Sequence, residues 1–430
     1  MTGSENNIVV GLQWGNEGKG RVIEFLTHKA DVIVRFQGCS NGGRTITTGG
    51  ERYRVNFLPS GIHHDGKQCL ICGGVVVDPE KLSGEIDLLK DAGVLKAQLT
   101  VSRSCPVLLD YHKKIDVLER RLAWDKNRSS AFEQGLSAAC SDACGRARLT
   151  LGDLTNQKSV EGRVAEVLSL KNEQLVKTYG EKGLDEKQLL SKYAEIGEKL
   201  APYAGDPVSI VENAYRKNLG ILFEGCGGTM CDVDRGTHPY ASPVSTTAAA
   251  AVRGTGLRWN AGPRVIGVAK AYTTRADSGP FITEMNSHLA AFVRSRGNEV
   301  SEQAGENRRV GWLDIPALRY AVRENGVHLL AMTKLDVLTG IDELRICTAY
   351  MLDGVRHEIF DLTADEMERA EPVYEILPGW HGELSLCSGF LSLPSQTQDY
   401  IAFVEEATGT DIIWGGVGKE WGSALFKTGV

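Results

Sequence analysis

Seven short apolar runs recur along this chain with amphipathic stretches between them, and this alternation constrains the fold more than any other feature. The runs are Ile8–Leu12, Asp31–Phe36, Leu70–Val77, Gln98–Val101, Gly220–Phe223, Val265–Ala269 and Val327–Met332. Each has the length of a strand, whereas Pro79–Ala92 and Val160–Tyr203 carry the helical period. Strands alternating with helices predict an α/β fold: a large, mostly parallel central sheet with helices on both faces. There is no solenoid repeat and no low-complexity linker. The 430 residues therefore read as one domain (1–430) with helical insertions at about residues 110–215.

The first run ends in a loop with unusual chemistry. Ile8–Arg21 reads IVVGLQWGNEGKGR, a strand running into four glycines and Lys19 before a helical pattern begins. Glycines let backbone N–H groups converge on an anion, a helix N-terminus adds positive potential, and Lys19 adds a full charge. The spacing departs from a standard phosphate loop, because Gly20 follows Lys19 where Ser or Thr is usual. Ligands bind at the carboxyl ends of strands in such sheets. Three polar or glycine-rich segments follow strands here: Gly15–Gly20, Gly38–Arg44 and Gly225–Thr229. Any one of them reads as an ordinary turn. Three together, with a lysine and an arginine among them, predict a polyphosphate site.

Composition narrows the class. Net charge is −7, which gives no global reason to expect nucleic acid as a partner. No apolar run approaches the roughly 20 residues that span a bilayer, and no secretory leader is visible, so a cytoplasmic setting is expected. The ten cysteines are scattered. Cys69 and Cys72 form a CxxC, but they sit in CLICGGVVV, which reads as a buried strand rather than a metal knuckle.

The longer motifs resemble the adenylosuccinate synthetase family over nearly the whole chain. The family's GDEGKGK corresponds to Gly15–Arg21, its VRYQGGHNAGHT to Val34–Thr45, its PSGI to Pro59–Ile62 and its LDYH to Leu109–His112. FEGAQGT and DIDHGTYPY correspond to Phe223–Thr229 and Asp232–Tyr240. KAYSTRVGAGPFPTE corresponds to Lys270–Glu284, RRTGWLD to RRVGWLD, and TKLDVLDG to Thr333–Gly340. The resemblance implies a ligase forming C–N bonds in two steps. The γ-phosphate of GTP goes to the 6-oxygen of a purine nucleotide, and the amino group of aspartate then displaces it, with Mg²⁺ neutralising charge on the transferring phosphoryl. It implies as partners GTP (or ATP), a purine nucleotide or related acceptor, and L-aspartate or another amine. It also implies a homodimer in which Arg146 reaches the other subunit's nucleotide in trans.

By the same resemblance, Gly15, Glu17, Gly18, Gly20, Arg21, Gly43, Thr45 and Gly416 surround the triphosphate. Lys19 holds the transferring phosphoryl, and Gly43 offers its carbonyl to Mg²⁺. Asp336, with the Lys334 stem packed on the base, reads guanine. Asn41, Arg146 and Ser242 fall at acceptor-nucleotide positions, and Gln303 and Arg308 at the amino-acid loop, with Arg308 a candidate carboxylate clamp. The departures lie mostly on the acceptor side. The family aspartate that ligates Mg²⁺ and takes the N1 proton is Asn16, which keeps an oxygen for the metal but cannot act as a base. The family histidine that steadies the migrating phosphoryl is Arg44, which can do so as a cation. A phosphate-binding threonine aligns with Phe132. A glutamine beside the purine 6-position is Gly227, which is expected to leave space there. Glu306 replaces an arginine and disfavours an anion nearby. The family's phage relatives, which act on dGMP, also lack the aspartate. Asn16 can accept from a 2-amino group, so GMP and dGMP stand beside IMP as expected acceptors. The alternative expectation is a catalytically silent nucleotide-binding subunit.

Overall fold

Alternate residues of the first strand, Asn7–Gly11, face different cores, so it must be covered on both sides. Ile8 and Val10 belong to one hydrophobic cluster and Val9 to another, and all three are fully buried. Val32 and Val34 likewise point away from Ile33. A strand apolar on both faces belongs in the interior of a parallel sheet.

The computed structural model describes residues 6–40, 42–48, 50–122, 135–256, 262–300, 307–418 and 423–427. Ten strands form the central sheet, in the order Ala424–Phe426, Ile412–Gly416, Leu329–Thr333, Arg264–Lys270, Asn7–Gly11, Ile221–Glu224, Val32–Arg35, Gln68–Ile71, Gln98–Ser102 and Ala204–Gly205. All neighbours pair parallel except the edge strand Ala424–Phe426. All seven apolar runs of the sequence supply strands. The run Leu70–Val77 is shorter than expected: the strand ends at Ile71, and Gly73–Gly74 turn the chain. A Cβ at Gly74 would stand 2.2 Å from the Phe36 carbonyl oxygen, so the backbones meet there too closely for a side chain.

Helices fill the segment between Gln98–Ser102 and Ile221–Glu224, including Asp110–Leu122, Ala165–Lys177, Glu186–Leu200 and Pro207–Arg216. The apolar sides of the first three close a core with Ile33, Cys69, Ile71 and Val101 of the sheet, whereas Val211 and Ala214 of Pro207–Arg216 join the core that contains Val32 and Val34. A smaller sheet of Leu313–Asp314, Glu343–Leu352, Val355–His357 and Glu371–Pro378 packs outside the main one. Two antiparallel pairs, Arg44–Thr48 with Glu51–Val55 and Thr273–Arg275 with Arg309–Gly311, stand at the strand ends.

Candidate active site

The first strand lies between Arg264–Lys270 and Ile221–Glu224, and the loops leaving this centre converge on one cleft of about 400 Å³. Its walls come from Trp14–Gly20, Gly38, Cys39, Gly42, Gly43 and Arg44, from Gly225–Gly227, from Ser242, Val244 and Thr246, and from Asp277, Glu299, Arg308 and Lys334.

The phosphate loop is shaped by three left-handed residues in four positions: Gly15 (φ 87°), Asn16 (φ 60°) and Gly18 (φ 86°). Glycine takes this conformation without cost, and asparagine is among the few other residues that visit it readily. The helix Lys19–Thr27 then starts from Gly18 with no side-chain cap. Elsewhere caps are supplied: Asp78 accepts from the N–H groups of Glu80 and Lys81 at the helix Pro79–Asp91. At Lys19–Thr27 the first N–H groups are left for a ligand, where the helix dipole favours an anion.

Glu17 is the pin of this loop. Its carboxylate is fully buried; Oε1 accepts from the N–H of Gln13 (3.1 Å) and Gly15 (2.9 Å), and Oε2 lies 2.5 Å from Lys19 Nζ. Gly228 makes the space. A Cβ there would meet the Gln13 carbonyl at 2.2 Å and Glu17 Oε1 at 2.4 Å. Gln13 adds a second anchor by accepting from the Lys270 N–H and donating to the Tyr272 carbonyl. Thr333 Oγ1 donates to the Glu17 carbonyl, which ties the loop to the strand before Lys334.

Arg44 enters the cleft from the start of its hairpin. Its guanidinium is mostly covered, pairs with the buried Glu224 carboxylate and donates to Ser60 Oγ. Glu224 also accepts from the Ser60 N–H at 3.0 Å. On the opposite side Glu299, almost fully buried, gathers three cations: Lys270 at 3.0 Å, Arg308 at 2.9 Å and Lys334 at 3.6 Å. Burial alone would raise the Glu299 carboxyl, but these cations and the Tyr272 hydroxyl hold it at about 2. Burial pushes the Lys270 ammonium down to about 8. The cations outweigh burial at Glu299, whereas at Lys270 burial, with the like charges of Lys334 and Arg308, outweighs the pull of Glu299.

Of the residues expected from sequence, Gly15, Asn16, Glu17, Gly18, Lys19, Gly20, Gly43, Arg44, Gly227, Ser242, Arg308 and Lys334 meet at the cleft. Asn16 is exposed there, and Gly227 needs its positive φ of 75°. A Cβ at that position would meet Thr246 Cγ2 at 2.7 Å, so the backbone of Gly227 passes close to the threonine methyl at the cleft wall. Arg21 turns instead to the Gly418 carbonyl and packs over Trp414, 5.9 Å from the ring centre. Thr45 is exposed on the hairpin. Asp336 sits one short turn past Lys334, and Gly416 ends the neighbouring strand. Arg146 is exposed after the helix Leu136–Cys144 and does not line the cleft of its own chain. Asn41, Phe132, Gln303 and Glu306 lie outside the described residues.

Sequence reasoning missed Glu299, Asp277 and Thr246. Asp277 is held by Arg275 at 2.5 Å, and that guanidinium is stacked between Trp14 and Tyr240. Nothing in their local sequence marks them as site residues.

The fold and this cleft define an α/β enzyme that presents a glycine-rich loop and a ring of ion-paired groups at the carboxyl ends of parallel strands. The profile of the adenylosuccinate synthetase family matches residues 8–424. The adenylosuccinate synthetase of Anaeromyxobacter dehalogenans strain 2CP-1 is 42% identical over 422 residues, 98% of each chain. That of Moorella thermoacetica is 39% identical over 409 residues, 94% of this chain and 95% of its own. Among solved structures, the fully ligated adenylosuccinate synthetase of Plasmodium falciparum superposes with a TM-score of 0.90 at 29% identity, covering 99% of this chain and 100% of that one. The succinoaminodeoxyadenylate synthetase of cyanophage S-2L, bound to dGMP and dATP, shares the fold with a TM-score of 0.61 at 16% identity, over 98% of this chain and 95% of its own. The chain belongs to the adenylosuccinate synthetase family, ligases that form carbon–nitrogen bonds.

Proposed function

We propose that this protein is a cytoplasmic, GTP-dependent ligase that phosphorylates the 6-oxygen of a purine nucleotide and condenses the activated carbon with L-aspartate, with its acceptor preference moved from IMP toward a 2-aminopurine nucleotide. The observation that carries the reading is Asn16. It is exposed in the cleft at a position where a base would act, and its amide cannot take a proton. The described carboxylates lining the cleft, Glu17, Asp277 and Glu299, are each ion-paired with Lys19, Arg275 and the Lys270 cluster. None of them is in the state of a free general base. The Asn16 oxygen can instead accept from a 2-amino group.

The roles follow from chemistry. Lys19 and the N–H groups of residues 16–20 bind the γ-phosphate and steady it as it transfers, the Gly15 N–H being held by Glu17. Arg44, oriented by Glu224, faces the migrating phosphoryl. Arg308 holds a carboxylate of the amino acid. The donors suited to Mg²⁺ are all hard oxygens, the Asn16 amide and the Gly43 carbonyl together with the nucleotide's phosphates, and this fits that ion. When bound, Mg²⁺ neutralises the charge of the transferring phosphoryl.

The test is phosphate release with GTP and aspartate over IMP, GMP and dGMP, for the wild type and for Asn16→Asp. The expected result is weak wild-type turnover of IMP, better turnover of GMP or dGMP, and a shift toward IMP in the variant. Robust IMP turnover equal in both proteins would remove Asn16 as a specificity device. No turnover of any acceptor, with GTP still bound, would establish the silent reading.

A further inference from the structure

The helix that begins at Lys19 carries a second cluster at its other end. Glu24 and His28 are four residues apart, and His28 keeps helical geometry at the C-cap, so both project from one face. The short turn Ser60–His63, followed by His64, packs against that face. One ligand-capable atom from each of Glu24, His28 and His64 lies within 4.8 Å of the others, and among the described residues no other group of three is so placed. His63 and His64 each bring Nε2 to 3.6 Å from Glu24 Oε1. The rings of His28 and His64 are 5.0 Å apart and those of His63 and His64 4.0 Å. The side chain of His63 is 8% exposed, and its Nδ1 has no hydrogen-bond partner; nor has the buried Nε2 of His64.

We propose that Glu24, His28 and His64, with His63 beside them, form a binding site for a zinc-type divalent transition metal, separate from the Mg²⁺ position of the catalytic cleft. Two or three imidazoles and one carboxylate are a borderline donor set that suits Zn²⁺, Co²⁺ or Ni²⁺ and not Mg²⁺ or Ca²⁺. Ligands about 2.0 Å from a tetrahedral zinc stand roughly 3.3 Å apart, a closure within reach of rotation of the exposed His28 side chain. Solvent reaches the site past His28. The metal would fasten the turn of Ser60, whose hydroxyl accepts from Arg44, to the helix that begins at Lys19. This inference does not depend on which acceptor the enzyme uses.

Chelator-treated protein is titrated calorimetrically with ZnCl₂, and with CoCl₂ for visible absorption, in excess MgCl₂ to keep oxygen-ligand sites filled. The expectation is one Zn²⁺ per chain and a tetrahedral Co²⁺ spectrum. Affinity should fall about 100-fold or more in His28→Ala and in His64→Ala. His28 is exposed, so its variant keeps the fold, which near-ultraviolet circular dichroism verifies. Glu24→Gln should likewise weaken Zn²⁺ binding, because an amide oxygen is a poorer zinc ligand than a carboxylate. Failure to take up Zn²⁺ at micromolar concentrations overturns the site. So does uptake unchanged in both histidine variants, which would place the metal on other groups such as the exposed Cys144.

Discussion

Glu17 Oε2 stands 2.5 Å from Lys19 Nζ, while the same carboxylate's other oxygen accepts from the backbone of Gln13 and Gly15. The residue that shapes the phosphate loop is therefore also the resting partner of the lysine that serves it. Glu17 is fully buried and cannot follow Lys19 to a ligand. An incoming phosphate competes with it for the ammonium.

Lys19→Ala should abolish phosphoryl transfer. A cation acting on developing charge contributes about 3 kcal/mol or more, so a loss above 100-fold in kcat is expected. Glu17→Gln should cost stability as well as activity, because one side chain satisfies two N–H groups and a charge. The measurements are single-turnover phosphate release and urea unfolding. A Lys19→Ala enzyme with undiminished single-turnover rate takes the lysine out of the mechanism.

Much of this frame was legible in the chain, because a strand buried on both faces is an apolar run with no polar alternation, and seven such runs became seven strands. The strand Ile412–Gly416 was not legible: its sequence, IIWGG, ends in glycines and follows a charged helix. Ala204–Gly205 is too short to leave a pattern. The site split the same way. A glycine-rich loop announces itself because every residue is local. Glu299 does not, since its partners Lys270, Arg308 and Lys334 come from separate elements and only the fold brings them together. The close approach of Thr246 to Gly227, nineteen residues away in the chain, was invisible to local reading in the same way.

Removing Glu299 should expose how much that cluster matters. Glu299→Gln leaves Lys270 fully buried with Thr274 as its remaining side-chain partner, and breaking such a pair costs about 3–5 kcal/mol. The sign with pH follows from the lowered carboxyl. Its contribution is complete above its free value of 4.5 and is lost as pH falls toward 2. The wild type should therefore lose stability in acid more steeply than the variant. Parallel acid limbs in chemical unfolding from pH 5 to pH 3 would falsify this assignment.

Arg44→Ala should destabilise through Glu224. That carboxylate is fully buried, and without the guanidinium it keeps only the Ser60 N–H as an observed donor. A loss of about 3 kcal/mol or more is expected in denaturant unfolding. Arg44→Lys should recover part of it, since it restores the charge but not the planar guanidinium whose Nη1 donates to both Glu224 and Ser60. Equal stability of Ala and Lys variants contradicts a charge-based role.

Base choice should follow Asp336. Burial raises its carboxyl, although Lys334, Arg21 and Arg296 pull the other way. It can accept from guanine N1–H and the 2-amino group, and adenine offers neither. An unpaired site carboxylate costs about 1–3 kcal/mol, so GTP should exceed ATP in kcat/KM by about 10- to 100-fold. Asp336→Asn should narrow that ratio while leaving ATP use nearly unchanged. Equal use of the two nucleotides by the wild type removes Asp336 from base reading.

The exposed Arg146 sets the final expectation. It lies past the helix Leu136–Cys144, away from the lining of its own cleft, and an arginine in such a place serves a nucleotide only if another chain supplies it. Arg146→Ala should raise KM for the acceptor nucleotide and leave unfolding unchanged, because the side chain is exposed. Lys19→Ala should be inactive with Arg146 intact. In a mixed dimer, one of the two sites then combines a working Lys19 with a working Arg146, while the other lacks both. At an acceptor concentration far below the KM of Arg146→Ala, where that variant alone turns over little, chains mixed after mild dissociation should recover up to about a quarter of wild-type activity, since random pairing makes half the dimers mixed and each carries one intact site. Mixed dimers verified by mass spectrometry that remain inactive show that each cleft is complete within one chain.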